Sequence, residues 1–351
     1  MTFQRQVPAR DARAEAHRIA FGPIVFQCVR IARKRGLLAT LEVSEGCTVE
    51  QLAARHGFSP YAVRVLLESC LSAGVVACDG ECYRLAAVGH YVLNDPMAEV
   101  NFDFVHEVCY RGMFELEASL ESARPEGLKS LGPWATAYQG LSSFPPAARE
   151  AWLAFDHFYS DHSFPEVLEI LFAAHPRRVL DIGANTGKFA RACLEYDAQV
   201  EVTLADLPQQ LELARRHLEG CGLAARARFA AFDFLAGEEP LPGAQDLVWM
   251  SQFLCCFPES VIASILRRAR AALAPRGRLR IMDTFWDRQR HDVAAFCVIN
   301  TSPYFTAIAS GNSKMYRSDD YLRLAREAGL ALIEERDDIG VCHTLLTFER
   351  S

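Results

Sequence analysis

The sequence predicts an α/β protein: a doubly wound, mostly parallel sheet whose last strand runs antiparallel, preceded by a mainly helical N-terminal domain. Three observations carry this expectation. From residue 178 onward short apolar runs alternate with amphipathic stretches, as strands joined by helical crossovers require. Before residue 100 the apolar residues recur instead at helical spacing. The chain's 351 residues also exceed one typical domain and leave room for two cores.

The first elements are helices. Ala12 to Leu41 repeats apolar residues at helical spacing, interrupted at Gly22-Pro23 and closed by Gly36 and Gly46. Thr48 opens a capped helix that ends at the Gly57 turn, and Ser59-Pro60 starts another. Val75-Val76-Ala77 and Cys82-Tyr83-Arg84-Leu85 then flank Asp79-Gly80 as a hairpin. Helix, turn, helix and hairpin make a winged helix. Its second helix offers Arg64 alone among Tyr61, Val63, Val65, Leu66, Leu67 and Glu68, too few donors to read a DNA groove.

Residues 101–150 carry aromatic residues between the breakers Pro125, Gly132, Pro133 and Pro145-Pro146, and are expected to form a helical connector and part of a substrate wall. The boundaries expected are therefore 1–100, 101–150 and 151–351. Strands are predicted at 178–182, 200–205, 227–231, 246–250, 279–283, 330–335 and 342–348. The last two are joined by the short turn Asp337-Asp338-Ile339-Gly340, hence the antiparallel pair.

Composition narrows the function. The net charge of -7 gives no general attraction to nucleic acid. Apolar stretches are broken well before the roughly 18 residues that a membrane span needs, and Met1 opens onto a charged, non-secretory segment. The twelve cysteines show no metal-ligand or redox spacing, so reduced thiols and no metal site are expected. A cytoplasmic protein with neither a nucleic-acid nor a membrane partner follows.

Three strand ends carry the chemistry. Val179-Leu180-Asp181-Ile182-Gly183-Ala184-Asn185-Thr186-Gly187-Lys188 is an apolar strand that ends in an acid and turns through glycines into a helix, where an open α/β sheet binds its ligand. Its glycine spacing is neither G-x-G-x-x-G nor a P-loop. The second strand ends at Asp206-Leu207-Pro208, and a carboxylate there can accept both hydrogen bonds of a ribose diol. The third is followed by Asp233-Phe234, an acid for an adenine amino group and a ring to pack on the base. One such Asp alone is an ordinary helix cap; three in succession point to a nucleoside.

These motifs resemble those of class I methyltransferases with a Rossmann-like sheet, specifically the small-molecule O-methyltransferases with an N-terminal winged-helix dimerisation domain. Ser160-Asp161-His162-Ser163 resembles the helix that leads into that family's domain, and Ala271 to Leu279 the loop before its fifth strand. The resemblance covers nearly the whole chain. It implies S-adenosylmethionine as methyl donor, a small-molecule acceptor, and a homodimer through the N-terminal domain. Ser163, Asp181, Gly183, Asn185, Gly187, Asp206, Leu207, Asp233, Phe234 and Ser251 are the cofactor-binding residues it implies.

The family's catalytic His is absent. Cys255 of Ser251-Gln252-Phe253-Leu254-Cys255-Cys256 stands in its place, Asp283 matches one acid, and the second falls near Met315. A thiol of lowered pKa is one candidate base. His343, at the start of the final strand, is another, followed by His157 and His106. For the acceptor, Phe155 and Tyr159 with Asn300, Tyr304, Asn312 and Met315 supply rings and amides, and His106, Tyr110, Trp134 and Tyr138 add to the wall.

The expected reaction is methyl transfer to a hydroxyl oxygen of a small aromatic or polyketide-like acceptor. A phenol's ring carbon is also nucleophilic once the phenol is ionised, so C-methylation is the alternative. A non-catalytic, cofactor-binding winged-helix regulator is the rival of another class; it would bind duplex DNA in a salt-dependent way.

Overall fold

The computed structural model describes residues 8–351; the opening segment read above as non-secretory lies outside the described residues. The described residues divide into two compact units, one ending at Val105 and the other His106–Ser351. The stretch 101–150 thus divides too, with 106–150 belonging to the second unit.

In the first unit helix Ala9–Lys34 runs through Pro23 rather than stopping at Gly22-Pro23. Proline there removes one helical hydrogen bond without ending the helix. Helix Val49–His56 starts at Thr48, whose hydroxyl accepts from the Gln51 N–H while the Gln51 amide oxygen accepts from the Thr48 N–H. Gly57, at φ +67°, ends it, and Pro60 opens helix Pro60–Ser72. Strands β1 (Val76–Asp79) and β2 (Cys82–Leu85) pair antiparallel, which completes the winged-helix pattern. Val29, Leu38, Leu52, Val63, Leu67 and Val76 close its core. Arg64 approaches Glu50 at 3.8 Å. Ile19, Phe21 and Ile24, on the long first helix, are each more than half exposed.

The second unit is built on a seven-stranded sheet: β3 (Arg178–Ile182), β4 (Glu201–Asp206), β5 (Ala227–Ala231), β6 (Gln245–Ser251), β7 (Leu273–Asp283), β8 (Leu330–Ile339) and β9 (His343–Arg350). Their order is β5-β4-β3-β6-β7-β9-β8, parallel except for β9, which runs antiparallel to both neighbours. The order reverses between β3 and β6, and a ligand crevice opens where the strand order reverses. Strand period sorts the side chains into two cores. Leu180, Ile182, Val248 and Met250 pack with helices Glu259–Ala272 and Ser318–Glu327. Val179, Leu247 and Trp249 pack on the other face with helices Phe164–Phe172, Lys188–Tyr196 and Pro208–Gly220. No helix among the described residues is long and apolar enough to cross a membrane.

Residues 112–127 and 305–309 meet through glycine. A Cβ on Gly127 would stand 2.3 Å from the Gly112 carbonyl oxygen and 2.8 Å from that of Ala307. Three backbone segments therefore approach closer than any side chain permits, and they frame one wall of the unit. Gly127→Ala is expected to cost about 1–3 kcal/mol by overpacking, read as a lower urea midpoint with an unchanged slope. An unchanged midpoint would mean that these segments part freely.

Candidate active site

The glycine loop between β3 and helix Lys188–Tyr196 is the centre of the site. Gly183 and Gly187 have φ of +78° and +76°, conformations that favour glycine. A Cβ on Gly187 would meet that of Ala214 at 2.9 Å, so glycine also lets the loop settle on helix Pro208–Gly220. Asn185 adopts φ +48° and gives its backbone N–H to Asp206 Oδ2 at 2.8 Å. The other Asp206 oxygen accepts the Leu207 N–H at 2.7 Å. Each oxygen retains a second lone pair, and the residue is only half-buried, so its outer edge can receive a diol.

Burial pushes the Asp206 carboxyl up to about 6, held down in part by those two N–H groups. Asp181 is pushed further, to about 8, by burial and then by the Asp206 charge. Asp181 Oδ2, Asn185 Oδ1 and the Ser251 hydroxyl are buried with no hydrogen-bond partner. Buried polar atoms are ordinarily paired, so these acceptors at the tips of β3 and β6 fit a cationic, hydrogen-bonding ligand. Phe253 lies against Gly183, where a Cβ would meet its ring at 2.3 Å, and stands edge-on to Phe234 at 5.3 Å. The two rings make an aromatic wall beside Asp233, whose carboxylate accepts the Leu235 N–H at 3.0 Å. Ser163 is fully buried, its hydroxyl donating to the Ser160 carbonyl at 2.5 Å.

Helix Pro146–Asp161 grips the same loop, a feature the motifs did not suggest. Asn185 Nδ2 donates to Asp156 Oδ2 at 2.9 Å, Thr186 Oγ1 meets His157 Nε2 at 3.3 Å, and Lys188 Nζ donates to Asp161 Oδ2 at 2.6 Å. The other His157 nitrogen faces Asp161 at 3.3 Å. One turn before Asp156, Trp152 Nε1 donates to the Tyr304 hydroxyl at 2.7 Å. Only the spacing of Trp152, Asp156 and His157 on one helical face could have signalled this.

Tyr304 belongs to a partly buried cluster. Burial and the neighbouring Cys256, Tyr304 and Cys255 raise the Tyr138 phenol, whose buried hydroxyl completes no hydrogen bond of ordinary geometry. Burial also raises Tyr304, which feels Cys109, Cys256 and Asp156. Cys255 sits on the short turn after β6 and is pushed well above a normal thiol, by its hydrogen bond with Cys256 and by burial. It is a protonated thiol at neutral pH, which removes the physical basis for a thiolate base there. Asp283 is held by the Tyr321 hydroxyl and the Thr284 N–H, both at 2.8 Å.

The remaining candidates lie elsewhere. His343 is fully buried on the face of β9 shared with Leu345, and burial lowers it to about 4. It stays neutral, and both ring nitrogens are buried without a hydrogen-bond partner. Trp134 fills the space beside Gly132 and Gly140 and packs on Phe144 at 5.5 Å, which makes it a strut of its own segment. Asn300 is exposed and bonded to its helix backbone, and Asn312 is exposed as well. Met315 is buried, with its backbone N–H on the Ser302 hydroxyl. His106 and Tyr110 face each other at 6.3 Å on the Gly112–Gly127 wall, and Phe155 meets Tyr159 at 5.1 Å. No group of His, Cys, Asp and Glu among the described residues is placed to hold a metal ion.

Comparison with known proteins bears on the domains and the fold. Residues 13–83 match the Dimerisation2-like domain and residues 180–279 a methyltransferase domain. The chain is 25% identical over 291 residues to a demethylspheroidene O-methyltransferase of Rhodobacter capsulatus, covering 81% of this chain and 69% of the relative. It is 24% identical over 279 residues to a bacteriochlorophyllide d C-20 methyltransferase of Chlorobaculum tepidum, covering 76% and 77%. Among solved structures, an O-methyltransferase from neocarzinostatin biosynthesis, bound to S-adenosylmethionine and 2-hydroxy-5-methyl naphthoic acid, superposes with a TM-score of 0.69 at 19% identity, over 93% of this chain and 96% of the other.

The raised Asp181 carboxyl makes a stability prediction. Unfolded, an Asp ionises near about 4; folded, this one ionises at about 8. Between those values the folded chain holds a proton that the unfolded chain has lost, so this group's stability contribution falls as pH rises. Asp181→Asn escapes that loss, and its thermal midpoint should exceed the wild type's by a margin that grows from about pH 5 to about pH 8. A margin independent of pH would contradict the raised carboxyl. Acids at three successive strand ends, a glycine loop clamped against them and the matched domains agree: the chain is an S-adenosylmethionine-dependent methyltransferase, a methyltransferase domain behind a Dimerisation2-like domain.

Proposed function

We propose that the chain methylates a hydroxyl oxygen of a small aromatic or polyketide-like acceptor, and does so as a cytoplasmic homodimer joined through its N-terminal unit. The observation that carries the acceptor class is the cluster of buried Tyr304 and Cys255 with half-buried Tyr138, Trp152 and Cys256, tied to the cofactor loop by helix Pro146–Asp161. Aromatic and thiol walls with a few hydroxyl groups suit a flat, partly polar molecule. The exposed Ile19, Phe21 and Ile24, within the segment that matches a dimerisation domain, support the homodimer. Twelve free cysteines support a reducing compartment.

Bound S-adenosylmethionine supplies a methyl group already activated on a sulfonium, so positioning supplies much of the acceleration. Asp206 would hold the ribose diol, Asp233 with Phe234 the adenine, and Asp181 with Asn185 and Ser251 the amino-acid end. The aromatic wall of Phe234 and Phe253 excludes water from the donor's side.

A second reading has its own support. The family resemblance sets Cys255 where a catalytic His would stand, and one relative is named a C-20 methyltransferase. Incubation with S-adenosylmethionine and a panel of phenols and naphthols, followed by product analysis, separates the two. A methyl ether is the expected product, a C-methylated ring would favour the second reading, and no transfer to any aromatic acceptor would overturn both.

A further inference from the structure

Hydroxyl methylation of a weakly acidic acceptor needs somewhere for the proton to go, and the residues first suggested by the sequence do not provide it. Cys255 is a buried thiol beside Cys256. Both His157 nitrogens face partners, Asp161 and Thr186, in the grip on the glycine loop. Asp283 has each oxygen held, by Tyr321 and by Thr284. His343 is sealed within the sheet's helical face.

Asp156 stands differently. It lies one turn after Trp152 on helix Pro146–Asp161, so the same helical face carries the bond to Tyr304 in the acceptor cluster and the bond to Asn185 in the cofactor loop. Asn185 donates to Oδ2 alone, which leaves Oδ1 free to accept. His157 and Asp161 face it from its own helix, Asn185 and Lys188 from the loop, Tyr304 from helix Asp292–Tyr304, and Cys255 from the turn after β6. We propose that Asp156, placed between the cofactor loop and the Tyr138–Tyr304 cluster, is the general base that takes the acceptor's hydroxyl proton.

This rests on the hydroxyl-methylation reading above. In the step, the acceptor O–H bond breaks and its proton goes to Asp156 Oδ1. The oxygen's electron pair forms the bond to the methyl carbon, and the pair of the breaking S–C bond stays on sulfur as a neutral thioether. Asp156 then returns its proton to water. Burial raises this carboxyl above the ordinary Asp value, against the opposing charges of His157 and Lys188, which brings it closer to the range where a general base works best.

Asp156→Asn keeps the size and the oxygen that Asn185 needs, and so isolates the proton function. The test measures kcat against pH for phenols of graded acidity, with S-adenosylhomocysteine affinity by calorimetry as the control on the loop. The expected result is an S-adenosylhomocysteine Kd within about twofold of the wild type and a kcat loss of about 10²–10⁴-fold for weakly acidic phenols. The loss should shrink for the most acidic phenols, and the acidic limb of the wild-type profile should vanish. Asp156→Glu, which keeps a carboxylate, should recover part of that limb.

Equal losses across all phenols, or a large loss of S-adenosylhomocysteine affinity, would overturn the assignment and leave Asp156 as a positioning residue acting through Asn185. Unchanged kcat would overturn it outright. A wild type that methylates no phenol fails the functional reading itself, before any variant is compared.

Discussion

The two backbone N–H groups that Asp206 accepts, from Asn185 and Leu207, pin the glycine loop to the tip of β4, and the rest of the site is arranged around that anchor. The anchor is a charged group at a strand end, half in and half out of water. Its cost appears in its neighbour: the Asp206 charge, added to burial, drives Asp181 up to about 8. A fold that keeps an acid in such a place gives up stability for binding capacity, as functional sites commonly do.

Helix Pro146–Asp161 makes one object of two half-sites. Asp156, His157 and Asp161 hold Asn185 and Thr186 of the loop and Lys188 at the start of the next helix, while Trp152 holds Tyr304. Movement of the helix would shift the donor's loop and the acceptor's wall together. Reacting atoms in a displacement must be aligned within a fraction of an ångström, and a shared rigid element is one way to keep them so.

Much of this was legible in the sequence. Short continuous apolar runs placed the strands, because a sheet covered on both faces must be apolar along its length; β7 nevertheless begins at Leu273, inside the segment expected to be a loop, and β8 runs on to Ile339. The acids at 181, 206 and 233 were visible because each follows such a run. What escaped were contacts between elements far apart in the chain. Asp156 and Asn185 are separated by 29 residues, and nothing local requires an acid opposite an amide. Cys255 offered a thiol by position, yet its ionisation depends on burial and on Cys256, which only packing reveals. Gly22-Pro23 looked like a break and is not one: the helix runs through it from Ala9 to Lys34.

The central claim is that the tips of β3, β4 and β5 form a nucleoside site anchored by Asp206. Calorimetric titration with S-adenosylhomocysteine, on the wild type and on Asp206→Ala, tests it directly. The account predicts micromolar binding by the wild type and a loss of at least about 100-fold in the variant, from two or more hydrogen bonds to a charged group. A folded wild type that binds nothing, or a variant that binds as tightly, would contradict it.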